Sequence, residues 1–277
     1  MQDSTRFSPI GVFDSGYGGL TVLKELIEQL PGYDFIYLGD NARSPYGIRS
    51  FNAVYHYTLE AVNKLFEMNC PLIIIACNTS SAKALRTIQQ KDLPLIAPDN
   101  RVLGVIRPTA EIVEKFTITN HVGILGTPGT VDSGSYLLEI QKLLPHLTVV
   151  QEACPMWVSL VENDEYQNPG ADYFIKKNLG NLLAKDSQID AIILGCTHYP
   201  LLVDTIKKFL PPCIKIISQD MIVARSLVDY LKRHPEMDSR ITRNNIHRFY
   251  TTDTVELFEK RGSIFFQKPF KAEQKIL

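Results

Sequence analysis

The chain has 277 residues, 45% of them hydrophobic, enough to bury a substantial core as one large α/β unit or two domains; this excludes a disordered polymer. Its 29 Lys and Arg nearly balance 30 Asp and Glu, for a formal net charge of −1, so no global basic field exists to collect nucleic acid or an anionic membrane surface. The longest apolar runs, 71–77 and 191–195, are far below the ~18–20 residues of a membrane-spanning helix, and 1–8 lack a signal-peptide pattern, so a cytoplasmic location is expected.

In chain order, short apolar runs bounded by turn residues alternate with amphipathic stretches, the pattern of parallel βαβ units. A strand is predicted over 10–13, then a helix over 20–30 with Leu23, Leu26, Ile27 and Leu30 on one face. A strand over 35–38 and a long helix over 50–69 follow. Residues 72–76, a β-branched run, read as a strand buried on both faces. A helix near 80–90 and a strand over 93–97 complete this series.

A second series repeats the plan. Strands are predicted over 122–125, 148–151 and 191–195, helices over 130–144 and 172–185, and a helix near 200–210 with a strand over 215–217 to close. The rest, helix 219–232, strand 246–250, helix 253–261 and a short strand 264–266, would return to the first half, with 271–277 frayed. Chain crossings are expected around 99–108 and at Pro211-Pro212. The fold class is therefore α/β, with two similar three-layer domains and mainly parallel sheets: 1–100 plus 213–277 form one, carrying Asp14 and Cys77, and 101–212 the other, carrying Glu152, Cys196 and His198.

Five cysteines, at 70, 77, 154, 196 and 213, are too sparse for a disulfide scaffold and contain no CxxC pair. The six histidines form no HExxH or HxxxH cluster, so no metal site is expected. Cys70, Cys154 and Cys213 read as small core residues. Cys77 and Cys196 differ, because each ends an apolar strand and is followed by residues suited to a helix N-cap: Asn78, Thr79 and Ser80 in one case, Thr197 in the other. A helix N-terminus lowers a thiol pKa, and the carboxyl ends of strands in open α/β sheets are where ligands bind. One thiol per half thus falls at a ligand-binding position.

The first strand ends in Asp14-Ser15-Gly16, its counterpart in Gly126-Thr127-Pro128-Gly129. Gly16 to Gly19 do not fit a dinucleotide fingerprint, since position 21 is Thr, and the Walker pattern lacks its Lys. A Gly-rich turn presenting N–H groups to a smaller anion fits better. Asp14 would otherwise serve as a simple N-cap, Glu152 as a solvated carboxylate, and 39–47 as an ordinary connection. His198, two residues from Cys196, could orient or titrate with that thiol.

Together these segments resemble the glutamate racemases of the cofactor-independent aspartate/glutamate racemase superfamily. The resemblance rests on Phe13-Asp14-Ser15-Gly16 with Gly18-Gly19-Leu20, Gly39-Asp40 with Pro45-Tyr46-Gly47, Ala76-Cys77-Asn78-Thr79, Gly126-Thr127, Ala153-Cys154-Pro155 and Leu194-Gly195-Cys196-Thr197-His198-Tyr199-Pro200, and spans nearly all of 8–270. It implies a two-base racemisation that needs neither PLP nor metal, with Cys77 acting on D-glutamate and Cys196 on L-glutamate. By the same resemblance Asp14 would support Cys77, and His198 with Glu152 would support Cys196. Ser15, Tyr46, Gly47, Asn78, Thr79, Thr127 and Thr197, with Asp14 and His198, carry over as substrate-binding positions. The expected role is supply of D-glutamate for bacterial peptidoglycan, by a homodimer with no nucleic-acid or membrane partner.

The chain departs from the family pattern at Ser159, where Pro is commoner, and over 104–109. The leader before Ile10 is short, so activation by a cell-wall precursor, associated with an N-terminal extension in some members, is not expected. The rival readings are an aspartate racemase of the same superfamily, a two-domain amino-acid-binding protein, and a thiol-redox enzyme, the last disfavoured by the lack of a nearby resolving thiol.

Overall fold

The computed structural model describes residues 7–277. The chain first forms β1 (Ile10–Asp14), α1 (Gly19–Gln29), β2 (Phe35–Gly39), α2 (Phe51–Glu67) and β3 (Leu72–Ile75), then the short helices α3 (Asn78–Lys83), α4 (Leu85–Thr87) and α5 (Leu93–Ile96), and β4 (Arg101–Gly104). A second series runs α6 (Ile106–Ile112), β5 (His121–Gly126), α7 (Pro128–Asp132), α8 (Ser135–Leu143), β6 (Thr148–Ala153), α9 (Trp157–Glu162), α10 (Pro169–Lys185), β7 (Ala191–Gly195), α11 (Val203–Phe209) and β8 (Lys215–Ile217). Last come α12 (Asp220–Arg233), α13 (Pro235–Asp238), β9 (His247–Thr251), α14 (Val255–Phe266) and β10 (Ala272–Gln274).

These strands make two parallel sheets, ordered β10-β9-β2-β1-β3-β4 and β6-β5-β7-β8. Within each series the order is the same: second, first, third, fourth. Strand period explains why both faces are buried. In β3, Leu72 and Ile74 face one apolar cluster while Ile73 and Ile75 face another, and in β7 Ile192 and Leu194 alternate with Ala191 and Ile193 in the same way. Each such Ile or Leu contributes roughly 1.5–3 kcal/mol by leaving water, so helices must cover both faces. One of these clusters joins residues from both sheets, including Val12, Ile74, Leu125 and Leu194, and so makes the two halves share a core.

The expected α/β architecture with two sheets is present, with local corrections. Residues 93–97 are not a strand: Pro94 stands in the first turn of α5, where its fixed φ and missing N–H are tolerated, and Leu95 is exposed. The fourth strand is β4, four residues beyond that run. Consequently the chain leaves the first sheet after Gly104 and the second after Ile217, whereas boundaries at 100 and 213 would put β4 and β8 in the wrong sheets. Residues 264–266 belong to the end of α14, and the segment expected to fray supplies β10, paired with β9. The helix expected over 130–144 is broken at Gly134, whose φ of 64° suits glycine. Cys213, just beyond Pro211-Pro212, is exposed and not a core residue, while Cys70 and Cys154 are buried.

This winding places the chemistry. In each half the chain switches sides between its first and third strands, and in open α/β sheets ligands bind beyond the carboxyl ends of the strands at such a point. Asp14 ends β1 and Cys77 lies just past β3; Thr127 follows β5 and Cys196 follows β7.

Candidate active site

The first thiol is held by backbone that the sheet defines. Ala76 N–H donates to the Phe13 carbonyl (2.8 Å), which extends the β1–β3 pairing up to Cys77. Cys77 is the N-cap of α3, its Sγ accepting from Ser80 N–H at 3.4 Å with Ser15 Oγ also at 3.4 Å. Burial, reinforced by the Asp14 charge, nevertheless pushes this thiol up to about 11 against those two hydrogen bonds. At neutral pH it rests protonated, so the helix end does not activate it as the sequence suggested. Asp14 is fully buried; Gly16 N–H donates to Oδ1 (2.9 Å) and Thr197 Oγ1 to Oδ2 (3.3 Å). Burial raises its carboxyl, with the His198 charge and the Gly16, Gly19 and Thr197 hydrogen bonds opposing.

The second thiol has a different environment. Cys196 does not cap an α-helix; a short 3-10 turn, Tyr199–Leu202, separates it from α11. Its partner is His198, whose Nδ1 lies 3.9 Å from Sγ and whose Nε2 lies 3.1 Å from Glu162 Oε1. Phe265 packs edge-on against the imidazole at 5.2 Å. Burial alone would favour neutral imidazole, but hydrogen bonds to Cys196 and Glu162, with their charges, raise His198 to about 10. The same pairing outweighs burial at Glu162 and holds its carboxyl below the usual range. Here an imidazolium, not a helix end, lies beside the thiol.

Glu152 does not join this group. In strand register it pairs with Leu125, whose side chain faces the shared apolar cluster, and it is directed at α10. There Asn178 and Asn181 donate to its Oε1 (3.0 and 2.9 Å) and Lys185 to its Oε2 (2.7 Å). Those donors outweigh burial and lower its carboxyl, as befits a structural anchor. The carboxylate that touches His198 is Glu162, at the end of α9. Its sequence signal is faint: a lone acid directly after the buried Val161, in a helix whose other inward side chain is Trp157.

The remaining expected residues line the seam between the halves. Thr79 Oγ1 lies 2.9 Å from Thr127 Oγ1 and 3.3 Å from Thr130 Oγ1. Ser44 Oγ donates to Glu162 Oε1 at 3.4 Å, and Thr197 reaches Asp14, so two further bonds cross between the series. Tyr46 is buried with its hydroxyl donated to Asp40, which also accepts from Arg43 Nε (2.6 Å) and Thr252 Oγ1 (2.8 Å). That hydroxyl is committed to holding the 45–47 turn. The turn brings Gly47 so close to Thr127 that a Cβ there would lie 2.7 Å from Thr127 Cβ. Ser15, Asn78, Thr79, Thr127 and Thr197 thus gather hydroxyl and amide groups around two thiols, a set able to bind an anionic substrate through neutral donors.

Residues 10–220 match the family model described as Asp/Glu/Hydantoin racemase. The chain is 41% identical over 262 residues to a glutamate racemase of Bacillus cereus, covering 95% of this chain and 94% of that one. A crystal structure of a Bacillus anthracis glutamate racemase isoform superposes with a TM-score of 0.88 at 36% identity, over 98% of both chains. The Francisella tularensis glutamate racemase in complex with D-glutamate gives 0.85 at 34% identity, over 98% of this chain and 97% of that one.

Proposed function

The chain belongs to the Asp/Glu/hydantoin racemase family, and from that premise we propose that it interconverts L- and D-glutamate by two-base chemistry at Cys77 and Cys196, without a cofactor. The observation that carries this reading is the placement of one buried thiol at the equivalent switch point of each sheet, with different neighbours: Ser15 and Ser80 at Cys77, His198 at Cys196. Cys196, with the His198 imidazolium beside it, removes the α-proton of L-glutamate; Cys77, resting as a thiol, delivers a proton to the other face. The reverse direction exchanges their roles. Glu162 takes the part that Glu152 was expected to play, keeping His198 charged.

An amino-acid α-proton is far less acidic than a thiol, and each pKa unit of that gap corresponds to about 1.36 kcal/mol. Tuning the base does not close it. Donors aimed at the α-carboxylate, where charge grows as the carbanion forms, each supply on the order of 3 kcal/mol in a water-excluded site. The Ser, Thr and Asn side chains at the seam suit that task. The bacterial relatives and the need for free thiols are in keeping with supply of D-glutamate for peptidoglycan in a reducing cytoplasm.

Incubation with L-glutamate in D₂O, no cofactor added, tests the proposal. D-glutamate carrying α-deuterium is expected, with aspartate a much poorer substrate; a preference for aspartate or the absence of exchange would overturn it. A second measurement addresses Glu162. His198 is raised to about 10 in part by that carboxylate, so removing the negative charge must lower it. In Glu162→Gln the alkaline limb of the L-glutamate kcat profile is expected to move down by about 1–3 pH units. An unmoved limb would remove Glu162 from the mechanism.

A further inference from the structure

Behind Asn78 runs a chain of hydrogen bonds whose polarity can be read from one end. The Val105 carbonyl can only accept, and Thr109 Oγ1 donates to it at 3.2 Å. With its proton so used, Thr109 Oγ1 accepts from Gln219 Nε2 (2.8 Å), which also approaches the Val105 carbonyl (3.3 Å) and therefore must be the nitrogen end of that amide. The second Gln219 proton goes to Tyr136 Oη, 2.5 Å away. Tyr136 is then left to donate to Asn78 Oδ1, at 2.6 Å. Burial keeps that phenol protonated, with the charge of Cys196 acting in the same direction.

The consequence falls on Asn78. Its amide could face the thiols with either end, but Oδ1 is committed to Tyr136. Nδ2 is left as a buried donor with no partner among the described residues, in the first turn of α3 beside Cys77. We propose that Tyr136, Gln219 and Thr109 are positioning residues that lock Asn78 as a hydrogen-bond donor to the substrate carboxylate. The proposal rests on the racemisation of glutamate argued above. A flipped amide would present a carbonyl oxygen to that carboxylate, replacing attraction by repulsion. The relay draws on α3, α6, α8 and the residue capping α12, so it is complete only when both halves are in place. Thr109 and Tyr136 are fully buried, so water cannot substitute for a missing member.

A double-mutant cycle on kcat/KM, with glutamate binding measured in parallel by calorimetry, tests this in the full-length protein. Tyr136→Phe is expected to lower kcat/KM and weaken binding by roughly tenfold, and by less than about twofold in an Asn78→Ala background. A purely structural role for the phenol gives the same factor in both backgrounds, which would overturn the proposal, as would a Tyr136→Phe enzyme equal to wild type. Should Tyr136→Phe not fold, Gln219→Met, which removes the donor that fixes the direction of the relay, is expected to reproduce the dependence on Asn78, and its failure to do so counts against the relay. A wild-type protein that does not racemise glutamate would instead sink the functional reading.

Discussion

Cys77→Ser and Cys196→Ser are each expected to lower racemisation of glutamate by about 10²–10⁴-fold, and to do so with opposite handedness. Serine keeps the shape and a proton, but its hydroxyl is a far weaker acid than a thiol, so the variant loses one acid/base partner while the other remains. In Cys196→Ser, Cys77 still faces the α-proton of D-glutamate, which therefore exchanges slowly into D₂O without forming the L-enantiomer. L-glutamate, whose base has been removed, keeps its proton. Cys77→Ser gives the mirror result. Proton NMR of each pure enantiomer in D₂O measures this, and a variant that exchanges both enantiomers at one rate would refute the assignment of one thiol to each face.

The two defects need not be equal, because the thiols differ in their surroundings. Cys77 is pushed up to about 11 by burial and by Asp14, so it rests as the acid. Cys196 instead has the charged imidazole of His198 beside it, Nδ1 lying 3.9 Å from Sγ.

Much of this was legible in the sequence because burial on both faces leaves a simple signature. Runs such as Leu72–Ile75 and Ala191–Gly195 are apolar throughout, so their strand character and their place at the sheet centres follow from composition alone. The residues just past such strands are where ligands bind, which is why Asp14, Cys77, Thr127 and Cys196 could be singled out. The fourth strand was harder. Arg101–Gly104 is short, begins on an exposed arginine, and stands next to the more apolar stretch 93–97, whose proline marks a helix start instead. Glu152 and Glu162 show the same limit at the site. Both are acids in the second half, and only packing decides which one meets His198: the strand turns Glu152 toward Lys185 on α10, whereas the end of α9 carries Glu162 to the seam. The relay through Tyr136 and Gln219 joins residues 83 positions apart, and no local pattern announces it.

Gly18→Ala is expected to lower kcat/KM by about 10²-fold while leaving the fold intact. Gly18 has φ −58° and ψ −37°, an ordinary right-handed conformation, so alanine adds no backbone strain, and loss of a glycine N-cap costs at most about 1 kcal/mol. The obstacle is across the seam. A Cβ at this position would lie 2.1 Å from Thr197 Oγ1, 2.8 Å from Thr197 Cβ and 2.7 Å from His198 Nδ1. Neither neighbour can swing away freely: Thr197 is bonded to Asp14, and His198 is held between Cys196 and Glu162. The added methyl must therefore push the loop after β7 away from the loop after β1, carrying Cys196 with it. A displacement near 1 Å at a reacting group is enough for a loss of this size. Thermal unfolding should change by only a few degrees, which separates the geometric effect from a general loss of stability. Activity within threefold of wild type would mean that the two loops are not held at this separation during turnover.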